Sequence, residues 1–452
     1  MLNRKDAVSM AVVALLASAG FAFGETPTPV APSLTLDRQA LKLDDAAPTP
    51  LLQQGLTAIG VQPYLDKAGI TATGYIETGY EYNLRNKSGT PKIFAIGGGG
   101  SSAGPLAFNS EPHNNYDVDQ VDLQIARAVD PKKFDVGGLV EVMYGEDADS
   151  IHSDGLTYNQ TDEDQFDIPQ AYIDVSIPVG NGLKVRAGKF DTLIGYEVIN
   201  PNGNPFYSHS DLFAVEPLTH TGVVAFYTVN DSITVAGGIA RGWDQASQDN
   251  NGSPDGLFQV TYAVNKQLNV SLQGTIGPED TIDEAHYRIA PDLVVTYAAT
   301  DSLSFAFEGL YFFDGGYNNL AGNTNNTLPV DAASSAAGNP AIGTYGDVWG
   351  GAFYTSYKLN DYFTFNLRAE GVHDYRASTS GSASNWYEAT VGVTITPLPK
   401  DKYLSGVKFR PEVRYDYADH DSAPGVHAFP VGTSGQTFRD QWTAAFDVIV
   451  NF

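Results

Sequence analysis

Ionisable side chains are the main chemical resource of this chain, which has 53 Asp and Glu against 26 Lys and Arg, with 8 His and no Cys. Four carboxylates, Asp191, Glu197, Asp211 and Glu216, fall in the stretch 191–221, which also carries Asn200-Pro201 and Asn204-Pro205. Each X-Pro pair forces an extended and then turned backbone, so this is a rigid, placed segment. Lys184 and Arg186 precede it, and Arg368, Arg410 and Arg414 stand in later alternating segments. The chemistry these groups offer is ionic. A hydrolase would need a Ser or Asp nucleophile beside a His on neighbouring elements. Here the histidines are scattered over loops, and Ser208-His209-Ser210 is a loop tripeptide rather than a facing pair. His220, set between two threonines, reads as a structural hydrogen-bonding group. Asp249, Asn250, Asn251, Gly252 and Asp255 look oxygen-rich but lack the Gly and Glu spacing of an EF-hand, so the segment reads as an ordinary acidic loop. Gly97 to Gly100 lack the Lys-Ser/Thr of a phosphate loop. No enzymatic activity, cofactor or metal centre is expected.

The elements that position these residues are short alternating segments. The clearest ends the chain: Trp442, Ala444, Phe446, Val448, Val450 and Phe452 alternate with Gln441, Thr443, Ala445, Asp447, Ile449 and Asn451. Alternation puts the two sets on opposite faces of a strand, and the apolar face needs lipid or a partner. Comparable segments lie at 70–82, 116–129, 134–144, 166–177, 182–190, 222–229, 233–243 and 256–264, then at 267–276, 287–299, 303–313, 347–359, 362–375, 386–396 and 406–418. About sixteen strands result, an even number as in single-chain bacterial barrels. The connections alternate between short and long. Short ones such as 130–133, 178–181, 230–232 and 360–361 carry the Asn, Asp, Gly or Pro of tight turns, whereas 83–115, 145–165, 191–221 and 314–346 are long. A soluble β-sandwich has no reason to alternate so, but a barrel with short periplasmic turns and long external loops does.

Facing is legible too. Leu303, Phe305, Phe307 and Tyr311 alternate with Ser304, Ala306 and Glu308, while Val407, Phe409, Val413 and Tyr415 alternate with Lys408, Arg410, Glu412, Arg414 and Asp416. A charge on the lipid face would cost about 2–4 kcal/mol at midplane, so the ionisable sets point inward and the lumen is expected to be wet. The fold class is all-β, a transmembrane antiparallel up-and-down barrel. Tyr80, Tyr82, Tyr144, Trp243, Tyr311, Phe312, Trp349, Tyr375, Trp386, Tyr415 and Trp442 sit at strand ends and are expected to form the two interfacial girdles.

The N-terminus supplies the address. Residues 1–24 carry Arg4 and Lys5, an apolar run and the small-residue ending Ala22-Phe23-Gly24, which reads as a cleaved secretory signal. Residues 25–69 read as a Pro- and Ala-rich periplasmic lead-in with at most one short helix, and 70–452 as the barrel. A large exported domain without disulfides needs another source of stability, and a closed ladder with no free edges supplies one. The net charge of −27 argues against nucleic acid as a partner and for repulsion of anions.

The segment 170–243 carries a family resemblance. It includes Gly188-Lys189-Phe190, Gly195-Tyr196-Glu197, the Asn-Pro loop with Tyr207-Ser208, Pro217-Leu218-Thr219-His220-Thr221-Gly222 and Gly242-Trp243-Asp244. With Gly74-Tyr75-Ile76-Glu77 at the start of the barrel, it resembles the OmpL-like β-barrel porins of Gram-negative outer membranes. The resemblance implies an outer-membrane channel for passive diffusion of small hydrophilic solutes. As in general porins, the third external loop, 191–221, would fold into the lumen. Its carboxylates Asp191, Glu197, Asp211 and Glu216 would then face Lys184, Arg186, Arg368, Arg410 and Arg414 on the wall, giving a transverse field that selects by charge. With the acid excess, cations would be favoured. The alternating ending with Phe446, Val448, Val450 and Phe452 resembles the signal read by the barrel-assembly machinery, and outer-membrane lipid would cover the apolar face. General porins of this size often form homotrimers, yet no lipid-face strand is marked as flat or small enough to show the contact. Two other readings stand beside the diffusion channel: an oligosaccharide-specific channel, which inward aromatics in a row would support, and a non-conducting surface barrel, which loops packed across the lumen would support.

Overall fold

The structure is a computed structural model that describes residues 51–84, 116–156, 164–279, 287–314, 346–374, 384–419, 429–431 and 436–452. The signal segment 1–24, the glycines 97–100 and Tyr375 lie outside the described residues. In chain order the strands are β1 Ile70–Asn83, β2 Tyr116–Arg127, β3 Asp135–Gly145, β4 Gln165–Asp167, β5 Ala171–Ile177, β6 Leu183–Asp191, β7 Thr219–Asn230, β8 Ile233–Ala240, β9 Asp255–Ala263 and β10 Leu268–Gly277. They continue with β11 Arg288–Ala298, β12 Leu303–Asp314, β13 Gly346–Lys358, β14 Phe363–Asp374, β15 Ser384–Ile395, β16 Val407–Ala418, β17 Phe429–Val431, β18 Gln436–Phe438 and β19 Asp440–Asn451. β17 and β18 form a separate two-stranded ribbon. The others make one ring, closed because β1 pairs antiparallel with both β2 and β19. β4 and β5 lie end to end against β3, so the wall is a closed antiparallel barrel of sixteen staves.

Two expected strands change at their ends for backbone reasons. The segment 166–177 is interrupted around Pro169, which has no N–H to give the ladder. The segment 233–243 stops at Ala240, because Gly242 (φ 139°) and Asp244 (φ 52°) turn the chain away. The lead-in holds two helices, Leu51–Ala58 and Gln62–Ala68, where at most one was expected. Pro63 does not break the second helix because it sits in the first turn, where no intrahelical donor is needed, and Gly69 closes that helix in the left-handed conformation (φ 67°).

The final strand shows the expected two faces. Gln441, Thr443, Ala445, Asp447 and Ile449 are buried inward, while Trp442 on the other face is exposed. Phe452 extends the pairing by exchanging backbone hydrogen bonds with Gly74 (2.9 and 3.1 Å). A Cβ on Gly74 would lie 2.6 Å from the Phe452 ring, so the glycine makes room for the terminal aromatic.

The girdle expectation holds for Tyr144, Tyr311, Trp349 and Trp442, which are exposed, but not for Trp243, Phe312 and Trp386, which are buried. Phe312 has the parity of Glu308, and Trp386 that of Glu388, so both point inward. Nor is the inner wall polar throughout. Leu310, Val348, Tyr354 and Val372 of β12, β13 and β14 form a buried cluster with Ile194, Leu212 and Val215 of the third long loop.

Candidate functional site

The strand that launches this loop passes unusually close to its neighbour. Gly188 has φ 138°, and a Cβ there would lie 2.7 Å from the Tyr172 Cα. Beyond β6 the loop closes on itself, with Thr192 N donating to Leu218 O (2.9 Å) and the N–H groups of Leu218 and Thr219 donating to Asp244 Oδ1 (3.0 and 2.8 Å). The Asn-Pro pairs act as the sequence suggests. Asn200 Oδ1 accepts from Asn202 N (3.0 Å) and opens the 3-10 turn Pro201–Gly203, and Asn204 binds both Val198 N (2.9 Å) and Val198 O (2.6 Å) through its amide. His220 bridges Thr192 Oγ1 (3.2 Å) and Gly242 O (3.1 Å), a structural role at the loop exit.

Three arginines of the inner wall hold the loop tip. Arg368 of β14 donates to Glu197 Oε1 (2.9 Å) and Ser208 O (2.7 Å) and also binds Glu388 of β15 (3.1 Å). Arg410 of β16 donates to the carbonyls of Pro201 and Asn204 (both 2.9 Å) and pairs with Glu77 of β1 (3.0 Å) and Asp447 of β19 (2.5 Å). Arg414 pairs with Asp211 (2.8 Å) and Asp416 (2.6 Å). Wall carboxylates bind loop backbone in turn: Glu412 accepts from Tyr207 N (2.9 Å) and Ser208 N (3.2 Å), and Glu370 accepts from Asp211 N (2.7 Å) and Leu212 N (3.2 Å). Charge-assisted hydrogen bonds of this kind are roughly twice as strong as neutral ones. Sequence reasoning missed Glu370 and Glu412 as partners. Their inward parity was readable, but a carboxylate binding the backbone of an acidic loop leaves no signature in residue types.

Near its two ends the loop meets a different wall. Gly195 N donates to Asp292 Oδ2 of β11 (2.9 Å), and Gln273 of β10 donates to the same oxygen (2.7 Å). Glu216 is buried against Glu308 of β12 and Asp292, and its carboxyl oxygens pack on Gly195. Burial first, then Glu308 and Asp292, pushes the Glu216 carboxyl well above the usual carboxylate range. Glu197 goes the other way: burial would raise it, but Arg368, then His209, hold it down at about 2. For Asp211, burial outweighs Arg414 and the carboxyl is pushed up to about 7.

The remaining candidates lie elsewhere. Lys184 and Arg186 pair with Asp174 of β5 (3.7 and 2.9 Å), and Arg186 stacks on Tyr172 (3.6 Å to the ring centroid). Asp191 stays at the end of β6, with its backbone N–H directed to Gln170 Oε1 (3.4 Å). At the height of the loop, Glu77, Gln120, Gln273, Asp292, Glu308, Arg368, Glu412 and Asp447, each from a different stave, are all buried. Among the described residues, no group of His, Asp or Glu is arranged to hold a metal ion, and Asp249 instead closes a turn by accepting from Asn251 N (3.0 Å) and Gly252 N (2.7 Å).

The sequence model of one family, described as "Putative beta-barrel porin-2, OmpL-like", matches residues 69–452, the whole barrel. The chain belongs to this porin family. One solved outer-membrane channel shares the fold of this OmpL-like porin at low identity, and two further outer-membrane proteins are similar to it. The outer membrane channel DcaP of Acinetobacter baumannii superposes with a TM-score of 0.51 at 12% identity, over 85% of this chain and 98% of its own. OmpT of Vibrio cholerae, in its trimer form, gives 0.48 at 11%, over 85% and 99%. The anion-selective porin from Comamonas acidovorans gives 0.48 at 12%, also over 85% and 99%. A search of curated proteins finds no sequence match. The OmpL-like porin is thus an outer-membrane β-barrel of a channel-forming family.

Proposed function

We propose that this porin carries small hydrophilic solutes and ions passively across the outer membrane, through a lumen narrowed by the loop 191–221. The observation that carries the reading is the triple arginine anchor: Arg368, Arg410 and Arg414 each bind loop atoms and wall carboxylates at once. A loop held so firmly sets the width and charge of what passes. Asp191 and Glu216 frame its two ends, and Lys184 and Arg186 add positive charge on the wall next to β7. The acid excess of the chain gives the channel a cation preference at its external mouth.

The same reading covers biogenesis. Residues 1–24 direct export and are removed, the barrel-assembly machinery reads Phe446, Val448, Val450 and Phe452, outer-membrane lipid covers the exposed apolar face, and the barrels assemble as homotrimers. The extent of wall burial at loop height favours a narrow channel over a wide one, and it also favours the non-conducting surface barrel as a rival reading. Single-channel recording of the refolded full chain under a salt gradient separates them. Discrete ohmic steps with a cation-favouring reversal potential support diffusion, and silence from correctly folded protein overturns it.

A further inference from the structure

The third loop crosses the lumen as a bar. Its middle reaches β2, where Gln120 donates to Ile199 O (3.1 Å) and Tyr207 donates to Asp119 (2.8 Å). The segment that leaves β6 reaches the opposite side of the ring. There Gln259 of β9 and Gln273 of β10 donate to the carbonyls of Leu193 (3.3 Å) and Gly195 (3.4 Å), and Asp292 of β11 accepts from Gly195 N (2.9 Å). A bar bound at both sides of a pore can widen it only where one set of bonds gives way.

The contacts at β11 and β12 are the ones that a change of charge can break. Gly195, at φ 88°, leaves room for the buried Glu216 carboxyl, since a Cβ there would overlap both of its oxygens. Glu216 shares a hydrogen bond with Glu308 of β12 and also faces Asp292 of β11 and Glu197 of the loop itself. Tyr354 of β13 donates to Glu197, and Arg368 of β14 binds Glu197 and Glu388. Arg288, at the start of β11, lies over Trp243 and Phe312 (4.5 and 5.6 Å to the ring centroids). A hydrogen bond between two carboxyls needs a proton on one of them. With both ionised, two like charges stand in contact in a buried place and repel.

Building on the diffusion reading above, we propose that the Glu216–Glu308 carboxyl pair is a latch that couples pore width to pH. Sharing a proton, it holds the loop ends against β11 and β12. Ionised, it pushes them away and widens the pore on that side, while Arg368, Arg410 and Arg414 keep the tip in place. Burial, then Glu308 and Asp292, raise the Glu216 carboxyl, so the narrow form binds the proton more tightly than a hydrated Glu216 would. The narrow form is therefore favoured at low pH and gives way as pH rises past the ordinary carboxylate value. One proton moves the ratio of wide to narrow forms by up to about tenfold per pH unit.

The test is single-channel recording of the refolded full chain between pH 5 and 8, comparing wild type with Glu216→Gln and Glu308→Gln. Recording in about 1 M KCl shortens the screening length to about 3 Å, which suppresses the titration of acids at the external mouth. Wild type should show two conductance levels, with the time spent in the wider one rising with pH. Each variant keeps a neutral side chain in the pair, so both should stay near the wild-type behaviour at pH 5 over the whole range. A wild type that conducts without responding to pH, or an equal pH response in wild type and both variants, overturns this inference alone. Folded wild type that carries no current at any of these pH values overturns the diffusion reading and this inference with it.

Discussion

The third loop meets two different walls. On the side of β14 and β16 it is held by guanidinium groups, with Arg368 on Glu197, Arg414 on Asp211, and Arg410 on the carbonyls of Pro201 and Asn204. On the side of β11 and β12 it rests on carboxylates, with Gly195 on Asp292 and Glu216 against Glu308. The tip is therefore locked by guanidinium pairs, of which Arg368 on Glu197 persists over the ordinary pH range because that carboxyl is held down at about 2. Near its two ends the loop rests on wall carboxylates, and there burial and those neighbours raise the Glu216 carboxyl well above the usual carboxylate range. One loop with two kinds of anchor can loosen at one end while the other holds.

The largest effect should come from breaking the cationic anchor. Arg368→Ala leaves Glu197 and Glu388 buried without their partner, and losing one member of a buried pair costs roughly 3–5 kcal/mol. Urea unfolding of the refolded barrel should show that loss, and single-channel traces should become larger and noisier as the tip moves.

A smaller and oppositely signed effect is expected at the acidic wall. Glu216 has a raised folded value, so the folded state prefers its neutral form. Stability is highest below the ordinary carboxylate pKa and falls as pH rises above it, until the folded value is passed. Asp211, at about 7, adds to the same fall. Between pH 5 and 8 the wild type should lose stability, and Glu216→Gln should flatten part of that slope by keeping a neutral side chain. Glu197, held at about 2, has the reverse linkage: its contribution is present above the usual value near 4.5 and lost only as pH falls through about 2. Glu197→Gln should therefore destabilise at every pH from 5 to 8 and leave the slope alone. If Glu216→Gln and Glu197→Gln shift the pH profile alike, the two anchors are not different in kind.

The smallest effect belongs to Tyr354, whose hydroxyl donates to Glu197 (3.1 Å) beside Arg368. Tyr354→Phe removes one hydrogen bond to a charged group, about 1.5–3 kcal/mol at most. It should lower the urea midpoint without changing conductance, since Arg368 still holds the carboxylate.

Much of this architecture is legible in the residues. Strict alternation in 441–452 and 407–416 gives both faces of β19 and β16, and Asn-Pro pairs announce the rigid tip, because each of these signals is local. Arg368, Arg410 and Arg414 were readable as inward cations for the same reason. What the sequence hides is pairing across the lumen. Nothing local says that Glu412 binds the backbone of a loop more than two hundred residues away. Nor does a strand-end aromatic declare its face unless its parity is followed inward, as Trp386 and Phe312 show.

The most direct test of the central claim, that the arginine-held third loop narrows the lumen, is a side-by-side measurement of single-channel conductance. It compares wild type with a chain in which residues 198–215 are replaced by a short Gly-Ser linker. The account predicts discrete wild-type steps and a several-fold larger conductance once the loop is removed. Equal conductance in two correctly folded barrels would contradict it, because the loop would then not be what limits passage.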